Sequence, residues 1–284
     1  MRVCRFDSDR LGVVQGDQVY DVTDIRDQVM RSGPIGVGDP VIARLPELIA
    51  RIRPELGKRE AIPLSQVKLL SPVKSPTKLV AAPTNYRAHI AEMQAVSAGS
   101  PVQRSNDIGT SGMFLKAVSS MVGPSEGIGL RFLDRRNDHE VELALIIGKI
   151  CNKVSMENAL DYVAGYCIGL DITLRGPEDR SFRKSIDSYS VLGPWMVTAD
   201  EIPDPDNLQL KLGVNNELRQ NANTHDMVYS VRRLIEFSSA FYTLHPGDVI
   251  YTGTPEGVSP IKPGDTLIAD IEKVGRMETK VRAA

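Results

Sequence analysis

Cysteine is scarce. The chain has three, Cys4, Cys151 and Cys167, odd in number and far apart. That pattern excludes a disulfide framework and carries no zinc spacing, so each is read as a small buried hydrophobe in a reducing compartment. Histidine is scarce too, with four in 284 residues. No apolar run approaches the roughly 18 residues that span a bilayer, so no membrane association is expected. The opening stretch MRVCRFDSDRLGVVQGD is broken by charge every few residues and lacks the apolar core of a secretory leader. A cytoplasmic location is the expectation. Neither sign of charge dominates: 34 basic residues stand against 36 acidic, a formal net charge of -2. A basic stripe of the kind that grips nucleic acid is therefore missing, and no nucleic-acid partner is expected. Dinucleotide-binding, Walker, zincin and serine-hydrolase motifs are all absent.

What is present is a core-forming composition, 42% hydrophobic, in a chain long enough for one large domain or one large plus one small. Residues 1–70 read as a small N-terminal α/β domain. RVCRF (2–6), LGVVQ (11–15) and QVYDV (18–22) have strand character, followed by helical patterns at 24–32 and 41–52, the second with a proline inside it. Residues 63–76 carry three prolines and read as a linker. The main domain, 71–284, opens on a strand in KLVAAPTNY (78–86) and a helix in RAHIAEMQAV (87–96). A long loop is expected over 97–112, the kind of segment that serves as a lid. HEVELALIIG (139–148) is the clearest strand, AGYCIGLDIT (164–173) a second buried one. Further strands at 208–216, 217–223 and 248–255 are joined by NNE, HPGD and KPGD turns, with one good helix over 231–244. The expected class is mixed α+β and β-rich.

Glu140 and Glu142 are the chemistry-bearing oddity of the first buried strand. Two apart on a strand, they share a face with Ala144 and Ile146, while Val141, Leu143, Leu145 and Ile147 take the other. Two adjacent carboxylates in an apolar segment raise each other's pKa and resist burial. A divalent cation relieves both problems, and an all-oxygen ligand set selects a hard ion, Mg²⁺, Mn²⁺ or Ca²⁺. Asp171, at the end of the next apolar strand, is within reach as a third ligand. The competing reading is a solvated strand face paired with lysine or arginine.

His89 and Glu92 lie three apart on the 87–96 helical stretch and so share a face. A carboxylate beside an imidazole fixes the ring and raises its basicity, as in a general base that deprotonates water. An ordinary surface His–Glu pair is the alternative. His139 is expected to point away from Glu140, and His245 to be structural.

Six segments, in order, resemble the fumarylacetoacetate hydrolase family: NYRAHIAEM (85–93), MFLKAVSSMVGP (113–124), DHEVELALIIGK (138–149), DYVAGYCIGLDIT (161–173), RKSIDSYSVLGPWMVTADEIPDP (183–205) and PGDVIYTGTPEGV (246–258). The resemblance covers Lys78 to Ala284. It implies a β-roll of mixed sheets with a smaller N-terminal domain, assembled as a homodimer. It implies Glu140, Glu142 and Asp171 as metal ligands, and His89 and Glu92 as the pair that activates water. Lys184 is implied as the stabiliser of oxyanion charge and Arg175 as a neighbour of the substrate oxygens. Thr254 is implied at the substrate carboxylate and Tyr86 as pocket lining. One position departs from the family: Glu178 stands where several members have glutamine, and an ionised carboxylate cannot donate to an oxyanion. Specificity is therefore expected to diverge in GPEDRSFRKS (176–185).

The implied activity is hydrolysis of a C–C bond in a 1,3-dicarbonyl acid such as an acylpyruvate, a small dicarboxylate or 2-oxo acid. The same metal chemistry also serves decarboxylation of a 2-oxo acid or keto–enol isomerisation of a hydroxymuconate-type acid. A non-catalytic binding protein on this fold is the remaining alternative.

Overall fold

The computed structural model describes residues 1–31, 33, 36–97 and 108–284. Among these, a twelve-stranded mixed sheet organises the chain. Its main path runs Ala61–Pro63, Gln18–Asp21, Arg10–Gln15, Arg2–Phe6, Ser190–Thr198, Val163–Asp171, Val141–Ile147, Val249–Tyr251, Leu79–Ala81 and Phe114–Lys116. Most neighbours are antiparallel; Leu79–Ala81 runs parallel to Val249–Tyr251. A five-stranded sheet (Glu217–Asn223, Gln209–Val214, Thr266–Ile271, Gly275–Ala283, Ile128–Leu130) and a three-stranded one (Thr173–Leu174, Asn137–His139, Ser259–Pro260) complete the β-roll. The β-rich mixed class expected from the sequence is the class observed.

The central strands are apolar on both faces because both faces are covered. Val141, Leu143, Leu145 and Ile147 enter the core shared with the five-stranded sheet, where Leu210, Leu212, Leu267 and Ile271 lie. Ala144 and Ile146 enter a second core closed by Ile42, Leu45, Leu48 and Ile52 of the N-terminal helices.

Several local expectations are revised. The helix expected over 41–52 is two, Pro40–Ala43 and Leu45–Ile52, broken at Arg44. Pro46 forces this: proline is tolerated in a helix's first turn and not in its interior. Residues 63–76 do not run free. Leu69 and Leu70 pair with Phe6 and Arg5, and Asp39 accepts from the backbone N–H of Lys74 (2.8 Å) and Ser75 (3.0 Å). The 231–244 helix stops at Phe241. Of the loop expected over 97–112, residues 98–107 lie outside the described residues, whereas Ile108–Ser111 form a helical turn with Ile108 buried. The strand expected over 139–148 is divided at Glu140: Asn137–His139 belongs to the three-stranded sheet and Val141–Ile147 to the large one. Glu140 thus sits where the backbone passes from one sheet to another.

Candidate active site

Val141–Ile147 and Val163–Asp171 are antiparallel neighbours, with Val141 opposite Leu170 and Glu142 opposite Gly169. The register carries Asp171 to Glu140, whose carbonyl accepts its N–H at 2.9 Å. Glu140, Glu142 and Asp171, all buried, bring one carboxylate oxygen each within 4.8 Å of one another. The solvated-face alternative is thereby excluded for both glutamates.

Three cations answer this charge. Lys184 Nζ donates to Glu140 Oε2 (2.7 Å) and Asp171 Oδ2 (2.6 Å). Lys116 Nζ donates to Asp171 Oδ1 (2.5 Å) and to the Tyr189 carbonyl (2.8 Å). Arg175 donates from Nε to Asp138 (2.6 Å) and from Nη2 to Glu140 (3.3 Å). Burial alone would raise the Glu140 acid, but Lys184, Arg175 and His89 overcome it and pull its pKa down to about 2. Glu142 goes the other way. Burial first, then the charges of Asp171 and Glu140, push it well above the ordinary carboxylate range. Its carboxylate accepts the Gly253 N–H at 2.7 Å, and no lysine or arginine of the described residues forms an ion pair with it. Here the cluster is short of positive charge. Three convergent carboxylates with one under-compensated member are a donor set that fits a hard divalent cation.

The Arg87–Ser97 helix brings His89 to the same region. Its Nδ1 lies 2.7 Å from Glu92 Oε2, and the other Glu92 oxygen accepts the Gly257 N–H at 3.2 Å. A carboxylate on Nδ1 fixes that nitrogen as the protonated one and leaves Nε2 as the basic position. His89 is buried and lies within electrostatic range of Glu140. The surface-pair alternative fails for His89 on burial alone. Asn85 holds the entry to this helix: its amide donates to the Tyr229 and Thr252 carbonyls, and its oxygen accepts the Tyr229 N–H.

The remaining expected residues fall as follows. Thr254 is buried and its hydroxyl accepts from Gln220 Nε2 at 2.9 Å. Tyr86 is fully buried; its phenol has no hydrogen-bond partner among the described residues and titrates high, through burial and then the Glu142 charge. His139 bonds Gln220 (3.1 Å) and Ser259 (2.8 Å) and not the carboxylate cluster, as expected of it. Glu178 is held by Arg135 in two hydrogen bonds of 2.9 and 2.8 Å. The guanidinium keeps its carboxyl below the usual range.

Sequence reasoning passed over Lys116, Asp138, Gln220 and the Gly253 N–H. Lys116 carried a usable signal, a lone lysine after Phe114–Leu115 in an otherwise uncharged stretch. The site contacts of the other three reach across more than 30 residues and leave no local pattern.

Comparison with known proteins decides the lineage. Residues 78–282 match the fumarylacetoacetate (FAA) hydrolase C-terminal family. The chain belongs to the fumarylacetoacetate hydrolase family. It is a metal-dependent hydrolase of that family. A maleylpyruvate hydrolase of Aquipseudomonas alcaligenes is 53% identical over 287 residues, covering 100% of both chains. The crystal structure of maleylpyruvate hydrolase from Sphingobium sp. SYK-6 is similar over 100% of both chains, at 40% identity and a TM-score of 0.84; a second crystal structure of that protein is a complex with manganese(II) ion and pyruvate. A 5-carboxymethyl-2-hydroxymuconate delta-isomerase from Mycobacterium smegmatis is more distant, at 29% identity and a TM-score of 0.72 over 100% of both chains. The fumarylacetoacetate hydrolase fold thus accounts for the β-roll. Among the described residues, no helix is long and apolar enough to cross a membrane.

Proposed function

We propose that this enzyme hydrolyses a maleylpyruvate-type acylpyruvate to pyruvate and a second acid. The observation that carries the reading is the pairing of buried His89 with Glu92 beside the three-carboxylate cluster. The full-length similarity to a maleylpyruvate hydrolase supports the substrate class.

In this reading Glu140, Glu142 and Asp171 hold a divalent cation, Mg²⁺ or Mn²⁺, the latter supported by the manganese in the related crystal structure. When bound, such an ion supplies Lewis-acid stabilisation of the enolate that C–C cleavage generates. The chain does the rest. Glu92 fixes the imidazole so that His89 Nε2 accepts a proton from water as the water oxygen bonds to the C4 carbonyl carbon. Lys184 and Arg175, both already aimed at the carboxylate cluster, stabilise the oxyanion on C4. The C3–C4 bond breaks, its electron pair passes to the pyruvyl fragment, and His89 returns the proton to C3. Thr254, held by Gln220, and Tyr86 line the substrate's path.

The isomerase neighbour shares the fold; isomerisation also needs a proton shuttle but consumes no water and releases no pyruvate, so the products separate the two reactions. The test is hydrolysis of maleylpyruvate with Mn²⁺, followed by release of pyruvate. His89→Ala is expected to lower kcat by about 10³-fold while Mn²⁺ affinity stays within a factor of a few. Full turnover in that variant would sink the water-activation role.

A further inference from the structure

Arg183 is the second-to-last residue of the short Arg180–Lys184 helix, which Asp179 caps by accepting the Ser181 N–H at 2.8 Å. The next residue, Lys184, bridges Glu140 and Asp171. Arg183 folds back so that Nη1 donates to the Leu174 carbonyl at 3.3 Å, on the strand that leads into Arg175. Its Nε is buried and meets no acceptor among the described residues.

The neighbouring cations behave differently. Arg175 pairs with Asp138 and Glu140, Lys184 with Glu140 and Asp171, and Arg135 with Glu178. No carboxylate of the described residues forms an ion pair with Arg183. Glu178 is within range of its charge but has both oxygens turned to Arg135. Burial, and then repulsion from Arg175, pull the Arg183 guanidinium below its ordinary pKa; the charges of Glu140 and Asp171 oppose them. Arginine stays protonated throughout. The result is a half-buried cation at the edge of the carboxylate cluster, with its buried Nε donor unsatisfied. A buried donor without an acceptor is destabilising, and a planar guanidinium is the group best shaped to take a carboxylate through two donors.

We propose that Arg183 takes the distal carboxylate of the substrate, so that the enzyme selects acylpyruvates whose acyl chain ends in an acid. This rests on the hydrolase reading above and assigns its specificity to one residue. The pyruvyl end of the substrate belongs at the carboxylate cluster. A second carboxylate at the far end of a short acyl chain then meets the unpaired guanidinium, completes its hydrogen bonds and supplies the missing counter-charge. A neutral acyl chain leaves that cation without a carboxylate and its buried Nε without an acceptor, the situation in which sites built for a polar group discriminate most strongly.

The experiment measures kcat/KM for maleylpyruvate and for acetylpyruvate, the neutral-chain analogue, with Mn²⁺, in the wild type, R183M and R183K. The dicarboxylate-to-neutral ratio is expected to fall on the order of 100-fold in R183M, mainly through KM, and R183K is expected to recover part of it. R183Q replaces R183M if the latter does not fold. A ratio within threefold of the wild type overturns the assignment, whether both activities drop together, as a structural role at Leu174 requires, or neither drops. A wild type that cleaves neither substrate overturns the hydrolase reading, and this inference with it. A wild type that cleaves both while the ratio stays fixed in R183M overturns the Arg183 assignment alone.

Discussion

Arg135 and Glu178 face each other as a fork against a carboxylate, with Nη1 and Nη2 each donating to one oxygen at 2.9 and 2.8 Å. Arg135 also donates to the Arg175 carbonyl at 2.9 Å. The question raised by an acid in place of the family's glutamine is answered by this pairing: the anion is neutralised by a partner absent from the local sequence pattern. Removing Arg135 frees that anion beside Arg183, where it competes with an anionic substrate. R135M is expected to raise KM for maleylpyruvate about tenfold, and R135M/E178Q to return it near the wild-type value. Steady-state kinetics on the two variants checks this; an unchanged KM in R135M contradicts it.

Lys116 compensates Asp171 from a fully buried position. Burial favours its neutral form and the Asp171 charge opposes that. Truncating it leaves a buried carboxylate with one cation fewer. Lys116→Met is expected to lower the stability of the metal-free protein by about 3 kcal/mol. Excess Mn²⁺ should recover part of the loss, because an ion at the cluster restores the charge balance. Urea unfolding with chelator and with Mn²⁺ reads both effects, and equal stability of the variant and wild type in chelator would count against the pairing.

Glu142 is the carboxylate that most lacks a cation, so its loss should be felt in metal binding before fold. Glu142→Gln keeps the shape and an acceptor for the Gly253 N–H. It is expected to weaken Mn²⁺ binding by at least about 100-fold by calorimetry, since losing even an outer partner of a metal ligand costs about 10- to 100-fold. Chelation of the wild type should abolish turnover, and re-addition of Mn²⁺ restore it.

His139 gives the protein an acid limit. Burial outweighs the Gln220 hydrogen bond and the nearby acids and holds its pKa down to about 4, against 6.5 in an unperturbed imidazole. The unfolded chain therefore binds a proton that the folded chain refuses. The neutral ring's stability contribution is whole above about pH 6.5 and is lost as pH falls toward 4. At pH 5 the loss amounts to about 2 kcal/mol. Chemical denaturation of metal-free protein at pH 7.5 and 5.0 measures it, and His139→Gln should show a correspondingly smaller drop.

Local patterning alone determined a good deal. The apolar runs around Glu142 and before Asp171 announced strands covered on both faces, and a period of two set Glu142 apart from Val141 and Leu143. The i, i+3 spacing that paired His89 with Glu92 is a property of the helix itself. Side-chain direction along one element depends on near neighbours and repeats with the element's period, so it is written in the sequence. Everything that crosses between elements waited for the tertiary structure. Lys116 meets Asp171 across 55 residues, Gly253 meets Glu142 across 111, and Gln220 joins His139 to Thr254. Strand order and register set those distances, and they arise from packing of the whole roll. The break at Glu140 has the same origin, because a strand leaves one sheet for another only where a second sheet is there to receive it.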